Sequence, residues 1–580
     1  MQHVSIYGLV SRTLFASVAA LFLSICAIGI LNNYTPAPFW DMWDGNILFY
    51  TRILDNDMSA WWGQHVSHRT VFSNALFFVD HSVFGGTYKF LLFSHYLLMG
   101  LAAYWVYTVL RKSGVSMRDR WQDFAFVMVI ICILFSWIQS RNITWAFQSQ
   151  MFAATLFPAS AMLMMYVSFT SQDNERKSLL WFTLSLVMGF CSAYTMMNGI
   201  AALPILVLMA VALRMPPRRI VSVFALSLFN LWLFFRGYSS PEGQGSYSET
   251  LLERPLEVFQ FALMHLGAPI HYILFESASS KWIAVGTGLL MVVGFAWMLY
   301  LLLRNETSRA FGIFWGAVLL YLAATVGGIA AGRLVHGLEQ AFESRYMTNA
   351  LFVWAVFATM LWILARGVIL RHGWVFWAVL ILPLSLLPYQ LNALKRDLNP
   401  RFGMMEGVLA LELGVRDAKQ IEYVWPWMDV AFILAARAKE LDVGVFGVPL
   451  YKGLAETIGQ PSLDVVAAAS SQLSPCSLSS LSLEMVPDDE KYTKLKGLLQ
   501  SSDPMRLPSR FAILTPDLTT IGYAVTDRSV YLPFRKASPA TWVAGYFLAD
   551  DLPETIILRS ERLSCRFDID GHTERVDSPE

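Results

Sequence analysis

The chain has 580 residues, 56% hydrophobic and only 15% charged, and its 43 basic and 43 acidic side chains cancel to a net charge of zero. A soluble protein of this length needs more charge to cover its surface, so a mean hydropathy of +0.48 makes the lipid bilayer the expected solvent. Basic residues are scattered through short loops without forming a stripe, which excludes nucleic acid as a partner.

A helix crossing the hydrocarbon core needs about 20 mostly apolar residues. Read in chain order, candidate spans fall at 9–31, 87–110, 122–138, 151–169, 179–196, 198–213, 219–236, 282–303, 310–331, 347–365 and 373–389, about eleven crossings. The boundary at Met196-Met197-Asn198-Gly199 is the least sharp. The first span exceeds the apolar core of a cleaved signal peptide, and no small-residue cleavage site follows it, so it is expected to remain as an anchor.

Lys and Arg in the short connectors set the orientation. One side carries Arg111, Lys112, Arg118 and Arg120, then Arg176 and Lys177, then Arg214, Arg218 and Arg219, then Arg304 and Arg309, and finally Arg366 and Arg371. That side is expected to be cytoplasmic, together with the N-terminus. Connectors on the other side are longer and mixed or acidic, with Glu242, Glu249, Glu253, Glu257 and Glu276. An odd number of crossings delivers the tail to the outside. The expected fold class is a polytopic α-helical membrane protein, residues 1–390 with a long outer loop at 32–86, followed by a soluble extracytoplasmic α+β domain at 391–580. The tail reads as two helices and then short β-rich runs such as "SRFAILTP" and "TTIGYAVTD". No internal repeat or low-complexity tract interrupts the chain. Cys26, Cys132 and Cys191 fall in spans, whereas Cys476 and Cys565 share the tail, where an oxidising compartment permits but does not require their pairing.

Three outer stretches hold groups able to do chemistry. In "TPAPFWDMWDG", residues 35–45, Pro36 and Pro38 suit a turn, and the following residues have helical periodicity, with Trp40 and Trp43 as interface anchors. Asp41 and Asp44 are three apart and share a helical face. Either acid, partly desolvated at the boundary between water and lipid, suits general-base work; the competing reading is a pair of solvated helix caps. The same loop supplies Gln64, His65, His68 and Arg69. His65-x-x-His68 has a spacing that can hold a metal, but an interfacial polar patch is the preferred reading, and a divalent cation would recruit the acids as well. No Cys/His metal spacing occurs. "SRNITWAFQSQM", residues 140–151, offers Arg141, Trp145, Gln148 and Gln150, groups suited to sugars and equally to helix capping. "GRLVHGLEQAFESRYMTN", residues 332–349, offers Arg333, His336, Arg345 and Tyr346. Arginine forks bind phosphate oxygens and stabilise a phosphate leaving group; the competing reading is snorkelling arginines neutralised by Glu339 and Glu343.

"PFWDMWDG", "WWGQHVSHRTVFSNALFFVD" and "GRLVHGLEQAFESRYMT", followed by "MMEGVLALELGVRDAKQ", resemble the GT-C glycosyltransferase superfamily. More narrowly they resemble a bacterial branch in which Tyr-Trp-Asp-x-Trp precedes His-Asn-Glu-His-Arg. This chain departs at "HVSHR", where Val66 and Ser67 replace Asn-Glu. The resemblance implies an integral, multi-pass protein of the bacterial inner membrane that uses a polyprenyl-phosphate-linked sugar as donor and a glycan, lipid or protein as acceptor. By its mapping Asp41 is the catalytic acid, with Asp44 in reserve, and Arg333 and Arg345 hold the donor phosphate. His65, His68 and Arg69 line the donor or acceptor side. The rival expectation is a transporter or flippase of lipid-linked glycans. It predicts paired repeats and ionisable groups near mid-bilayer, whereas these spans are almost free of charge.

Overall fold

The computed structural model describes residues 6–115, 121–240, 247–371, 381–395, 398–461, 474–501, 508–527, 540–549, 553–560 and 563–569. Arg118, Arg120, Glu242 and the first residues of the expected span 373–389 lie outside the described residues. The chain divides into two units. One comprises Met1–Ile30, Trp61–Leu76 and Leu91–Lys395; the other comprises Leu31–Ala60, Phe77–Phe90 and Arg396–Glu580.

The first unit is helical. Among the described residues, eight helices are long and apolar enough to cross a membrane: Gly8–Asn33, Lys89–Lys112, Trp121–Thr144, Ser149–Thr170, Pro217–Phe235, Ser280–Arg304, Arg309–His336 and Ser344–Ile369. The expected span 179–196 is an 18-residue helix, Glu175–Ser192, whose only span-length stretch includes the charges of Glu175, Arg176 and Lys177. The expected span 198–213 is the shorter apolar stretch Met197–Ala212. A further helix, Pro255–Ile273, runs through a stretch that reads as an acidic connector. Two glycines let it lie directly against Ser280–Arg304: a Cβ on Gly267 would sit 1.9 Å from the Ala284 carbonyl oxygen, and one on Gly288 would sit 2.1 Å from that of Leu263. Close backbone approach of this kind is how helices associate where lipid removes the hydrophobic drive.

The core of this unit is aromatic, with Trp315, Trp362, Phe314 and Tyr321 almost wholly buried. Polar groups within it are matched to backbone defects. Pro158 lies inside helix Ser149–Thr170, so the Ala154 carbonyl loses its usual helical donor. The Tyr321 hydroxyl donates to that carbonyl at 2.5 Å. Asn198, in the turn between two helices, donates to Tyr321 Oη at 2.9 Å and to Thr325 Oγ1 at 3.1 Å.

The second unit combines helices Leu398–Leu413 and Met428–Glu440 with a closed β-barrel. Its strands are β1 (Ser474–Met485), β2 (Tyr492–Ser501), β3 (Arg510–Leu514), β4 (Thr520–Thr526), β5 (Ala540–Leu548), β6 (Thr555–Arg559) and β7 (Leu563–Asp568). They close in the order β1-β2-β5-β4-β3-β6-β7. The ring is antiparallel except at its seam, where β1 and β7 run parallel and pair Ser474 with Leu563 and Pro475 with Ser564. Cys476 and Cys565 occupy the next rung of that register and are disulfide-bonded, which resolves the pairing that the sequence leaves open. Helix Leu398–Leu413 is pinned to the barrel by a buried charge cluster. Lys494 Nζ of β2 lies 2.8 Å from Glu406 and 2.7 Å from Asp417, and the Tyr546 hydroxyl of β5 donates to Asp417 at 2.8 Å.

Candidate functional site

The acid-bearing stretch belongs to the second unit. Trp40 adopts φ +46°, an uncommon conformation for a side chain of its size. Its N–H donates to the Val424 carbonyl at 2.9 Å. Trp43–Ile47 then forms one turn of π-helix, a geometry that recurs at functional sites. Asp41 just before this turn and Asp44 inside it are half-buried, with carboxylate oxygens within 4.8 Å of each other, so the shared face expected from their spacing is realised. The expectation for the tryptophans needs correction. Trp40 is 43% exposed, but Trp43 is fully buried; its indole donates to the Pro38 carbonyl at 3.2 Å and packs in an apolar core beside Phe446. Trp43 is a core anchor, because amphipathic periodicity does not distinguish lipid from protein as the apolar medium.

The remaining nominated residues belong to the first unit. His65 and His68 exchange both backbone hydrogen bonds at 2.8 Å, closing a two-residue turn over Val66 and Ser67. Val66 holds φ +52°, a strained conformation for a β-branched residue. Val66→Asn, the residue that the resembling branch carries there, is expected to stabilise the protein by about 1 kcal/mol. Thermal unfolding of the purified protein checks this, and an unchanged or lower midpoint would show the turn to be unstrained.

His68 accepts the Met197 N–H at Nδ1, 3.2 Å away, which places the proton of the neutral ring on Nε2. The His65 ring lies 5.1 Å from that of Phe147. Arg69 departs from its expected role. It is 3% exposed and donates to the carbonyls of Phe234 (2.7 Å), Trp62 (2.5 Å) and Arg236 (2.7 Å). It therefore closes the C-terminal end of helix Pro217–Phe235, where carbonyls lack helical donors. Burial depresses its pKa. A buried arginine committed to three carbonyls is a structural clamp rather than a substrate ligand.

The two later stretches come together. The Ser344 hydroxyl accepts the Arg141 N–H at 3.2 Å and donates to the Ile138 carbonyl at 2.8 Å. Asn142, fully buried, donates to the Arg345 carbonyl at 2.7 Å and to Thr348 Oγ1 at 2.8 Å, and Thr348 donates to Gln139 Oε1 at 2.7 Å. Gln139 and Thr348 also line a cavity of about 20 Å³, room for one water. The Gln139–Asn142–Thr348 network holds the loop that carries Arg345. Asn142 was visible in "SRNITW" but carried no signal to separate it from a helix cap. Gln148, expected to contact a sugar, is 2% exposed, and its side-chain oxygen has no hydrogen-bond partner among the described residues.

Arg333 and Arg345 converge on one ring, with guanidinium carbons 6.0 and 5.0 Å from the centroid of Tyr346. The Tyr346 side chain is buried, both arginines are half-buried and His336 is exposed. Arg345 donates to Gln340 at 3.2 Å, and its buried Nε has no partner among the described residues. The acids expected to neutralise these arginines lie elsewhere: Glu339 pairs with Lys281 at 2.6 Å, and Glu343 faces Arg141 at 3.8 Å. Among the described residues, neither Arg333 nor Arg345 has a carboxylate partner. Two cations packed on one ring without a carboxylate partner leave a local excess of positive charge.

No family model, no curated protein and no solved structure matches this chain.

Proposed function

We propose that the protein is a membrane glycosyltransferase of GT-C type, transferring a sugar from a polyprenyl-phosphate donor to an extracytoplasmic glycan, lipid or protein acceptor. The observation that carries this reading is the pair Arg333 and Arg345 around Tyr346, uncompensated by any carboxylate among the described residues. In the proposed single displacement, the acceptor oxygen bonds to the anomeric carbon as the bond from that carbon to the phosphate oxygen breaks, with inversion. Asp41 takes the acceptor proton, Asp44 being the reserve, and the arginines receive the negative charge that develops on the departing polyprenyl phosphate. His65, His68, His336 and Tyr346 are assigned to binding. Burial removes Arg69 and Gln148 from direct contact.

The same reading places about eleven spans in a bacterial inner membrane, with the N-terminus cytoplasmic and the C-terminal domain, residues 391–580, outside. The Cys476–Cys565 disulfide supports an oxidising side for that domain.

The test is reconstitution of the full-length protein in lipid with radiolabelled polyprenyl-phosphate sugars, scored for transfer. Arg345→Ala is expected to raise the donor KM at least tenfold while changing the acceptor KM little, and Arg345→Lys, lacking the planar fork, is expected not to restore it. Movement of the donor across the bilayer without transfer would replace this reading with the flippase. Equal loss for donor and acceptor would make the arginine structural.

A further inference from the structure

The second unit is assembled from segments far apart in sequence, and the stretch that bears Asp41 and Asp44 is one of them. Four ties fasten it to the helical layer that follows residue 398. The Trp40 N–H is bound by the Val424 carbonyl. The Trp43 ring, with no exposed surface, sits 6.2 Å from that of Phe446 in a core that also contains Val408, Leu409 and Val443. Asp55 is ion-paired with Arg437 of helix Met428–Glu440. Gly444 of this layer, at φ +59°, brings its backbone against the acid-bearing segment: a Cβ there would lie 3.9 Å from Ile47 Cδ1, in ordinary contact. These ties flank the acids on both sides, at positions 40, 43, 47 and 55. Asp41 directly follows a tryptophan in an uncommon backbone conformation and Asp44 lies inside the π-helical turn, geometry that persists only when its surroundings over-determine it.

We infer that the helical layer Leu398–Leu454 is a positioning platform for the two acids, with Phe446 its key positioning residue acting through Trp43. The inference rests on the reading of Asp41 or Asp44 as the proton acceptor. It gives the tail a role distinct from acceptor selection: the layer fixes the height and angle at which the carboxylates are presented. A misplacement on the order of 1 Å costs about a hundredfold in rate when a proton must be taken along one line.

The experiment compares full-length wild type, Phe446→Ala, Phe446→Leu and Leu558→Ala in lipid nanodiscs. Leu558→Ala opens a cavity in the barrel core, away from the platform. Hydrogen exchange is read over Met42–Leu48, and transfer is read as kcat and donor KM. Phe446→Ala is expected to speed exchange in that segment about tenfold or more and to lower kcat about 10- to 100-fold, with donor KM within about twofold. Phe446→Leu, which keeps most of the apolar bulk, is expected to recover to within about threefold of wild type. Leu558→Ala is expected to leave both readouts within about twofold. Unchanged exchange over Met42–Leu48 in Phe446→Ala would overturn the platform. So would equal kcat losses in Phe446→Ala and Leu558→Ala. A wild type that transfers no sugar would remove the glycosyltransferase reading instead, and the exchange measurement would still decide whether the platform holds the turn.

Discussion

Asp41→Asn is expected to lower sugar transfer by about 10²- to 10⁴-fold, the range that a positioned general base contributes. The substitution keeps the size and shape of the side chain and can still accept a hydrogen bond, but it cannot take a proton at neutral pH. The turn should survive, because Trp43 in the core and the Trp40–Val424 hydrogen bond hold its conformation. Unfolding midpoint and hydrogen exchange over Met42–Leu48 should therefore match wild type, which makes this a test of chemistry and not of folding. Asp44→Asn serves as the companion, expected to cost less than tenfold if Asp44 only supports its neighbour. Full activity of Asp41→Asn with loss in Asp44→Asn would transfer the role by three residues. Full activity in both variants would remove proton transfer from this turn altogether.

Lys494→Met is expected to give the largest loss of stability, about 3–5 kcal/mol at pH 7, because it strands Glu406 and Asp417 as buried, unpaired carboxylates. The directions of the shifts give the pH dependence. Burial alone would raise the Asp417 carboxyl, but the hydrogen bond and charge of Lys494 outweigh it and leave its pKa below the usual value. Burial would lower Lys494, but Glu406, helped by Asp417, raises it. Burial dominates at Glu406 and raises it. A lowered carboxyl adds stability above its unfolded pKa, and that stability is lost as pH falls through the folded value. A raised lysine adds stability below its unfolded pKa, and that is lost as pH rises through the folded value. In wild type the Lys494–Asp417 contribution therefore spans a window from above about pH 4 to about pH 10. Glu406 acts with the opposite sign, favouring the fold at the acidic end. In Lys494→Met the carboxylates can relieve their penalty by taking up protons, so the deficit relative to wild type should shrink between pH 7 and pH 4. Denaturant unfolding of the full-length protein at both values reads this. A loss below about 1 kcal/mol at pH 7, or an equal loss at pH 4, would show that the cluster is not held by charge.

The membrane-type character was legible because crossing a bilayer demands long apolar runs, and eight such helices stand where continuous runs were read. Helix Pro255–Ile273 escaped because Glu257, His265, Pro269 and His271 interrupt its hydropathy; its partner is chosen by Gly267 and Gly288, whose role is steric and invisible to composition. The tail's strands were legible as short β-rich runs. Their closure was not, since the β1–β7 seam joins residues 89 apart across the disulfide. At the candidate site, the gathering of residues 140–151 with 332–349 was suggested only by a shared side of the membrane, and Asn142, which cements it, looked like an ordinary polar loop residue. Arg69 read as a ligand because one sequence cannot reveal that three backbone carbonyls already occupy it. Trp43 read as an interface anchor because its true neighbours lie some 400 residues downstream.

That separation has a consequence for how the protein is made. Leu31–Ala60 is synthesised long before Arg396, and at about 5–20 residues per second it waits roughly 20–70 s for the chain that completes its core. Through that interval Trp43 and Ile47 have no permanent neighbours, while each intervening apolar helix is threaded into lipid. Ribosome-stalled or prematurely terminated products would leave this early segment greasy and unsheltered, a natural substrate for chaperones and quality-control proteases. Removing the tail by genetic truncation would thus be less like detaching a module than like pulling one half of an interlocking joint from the other.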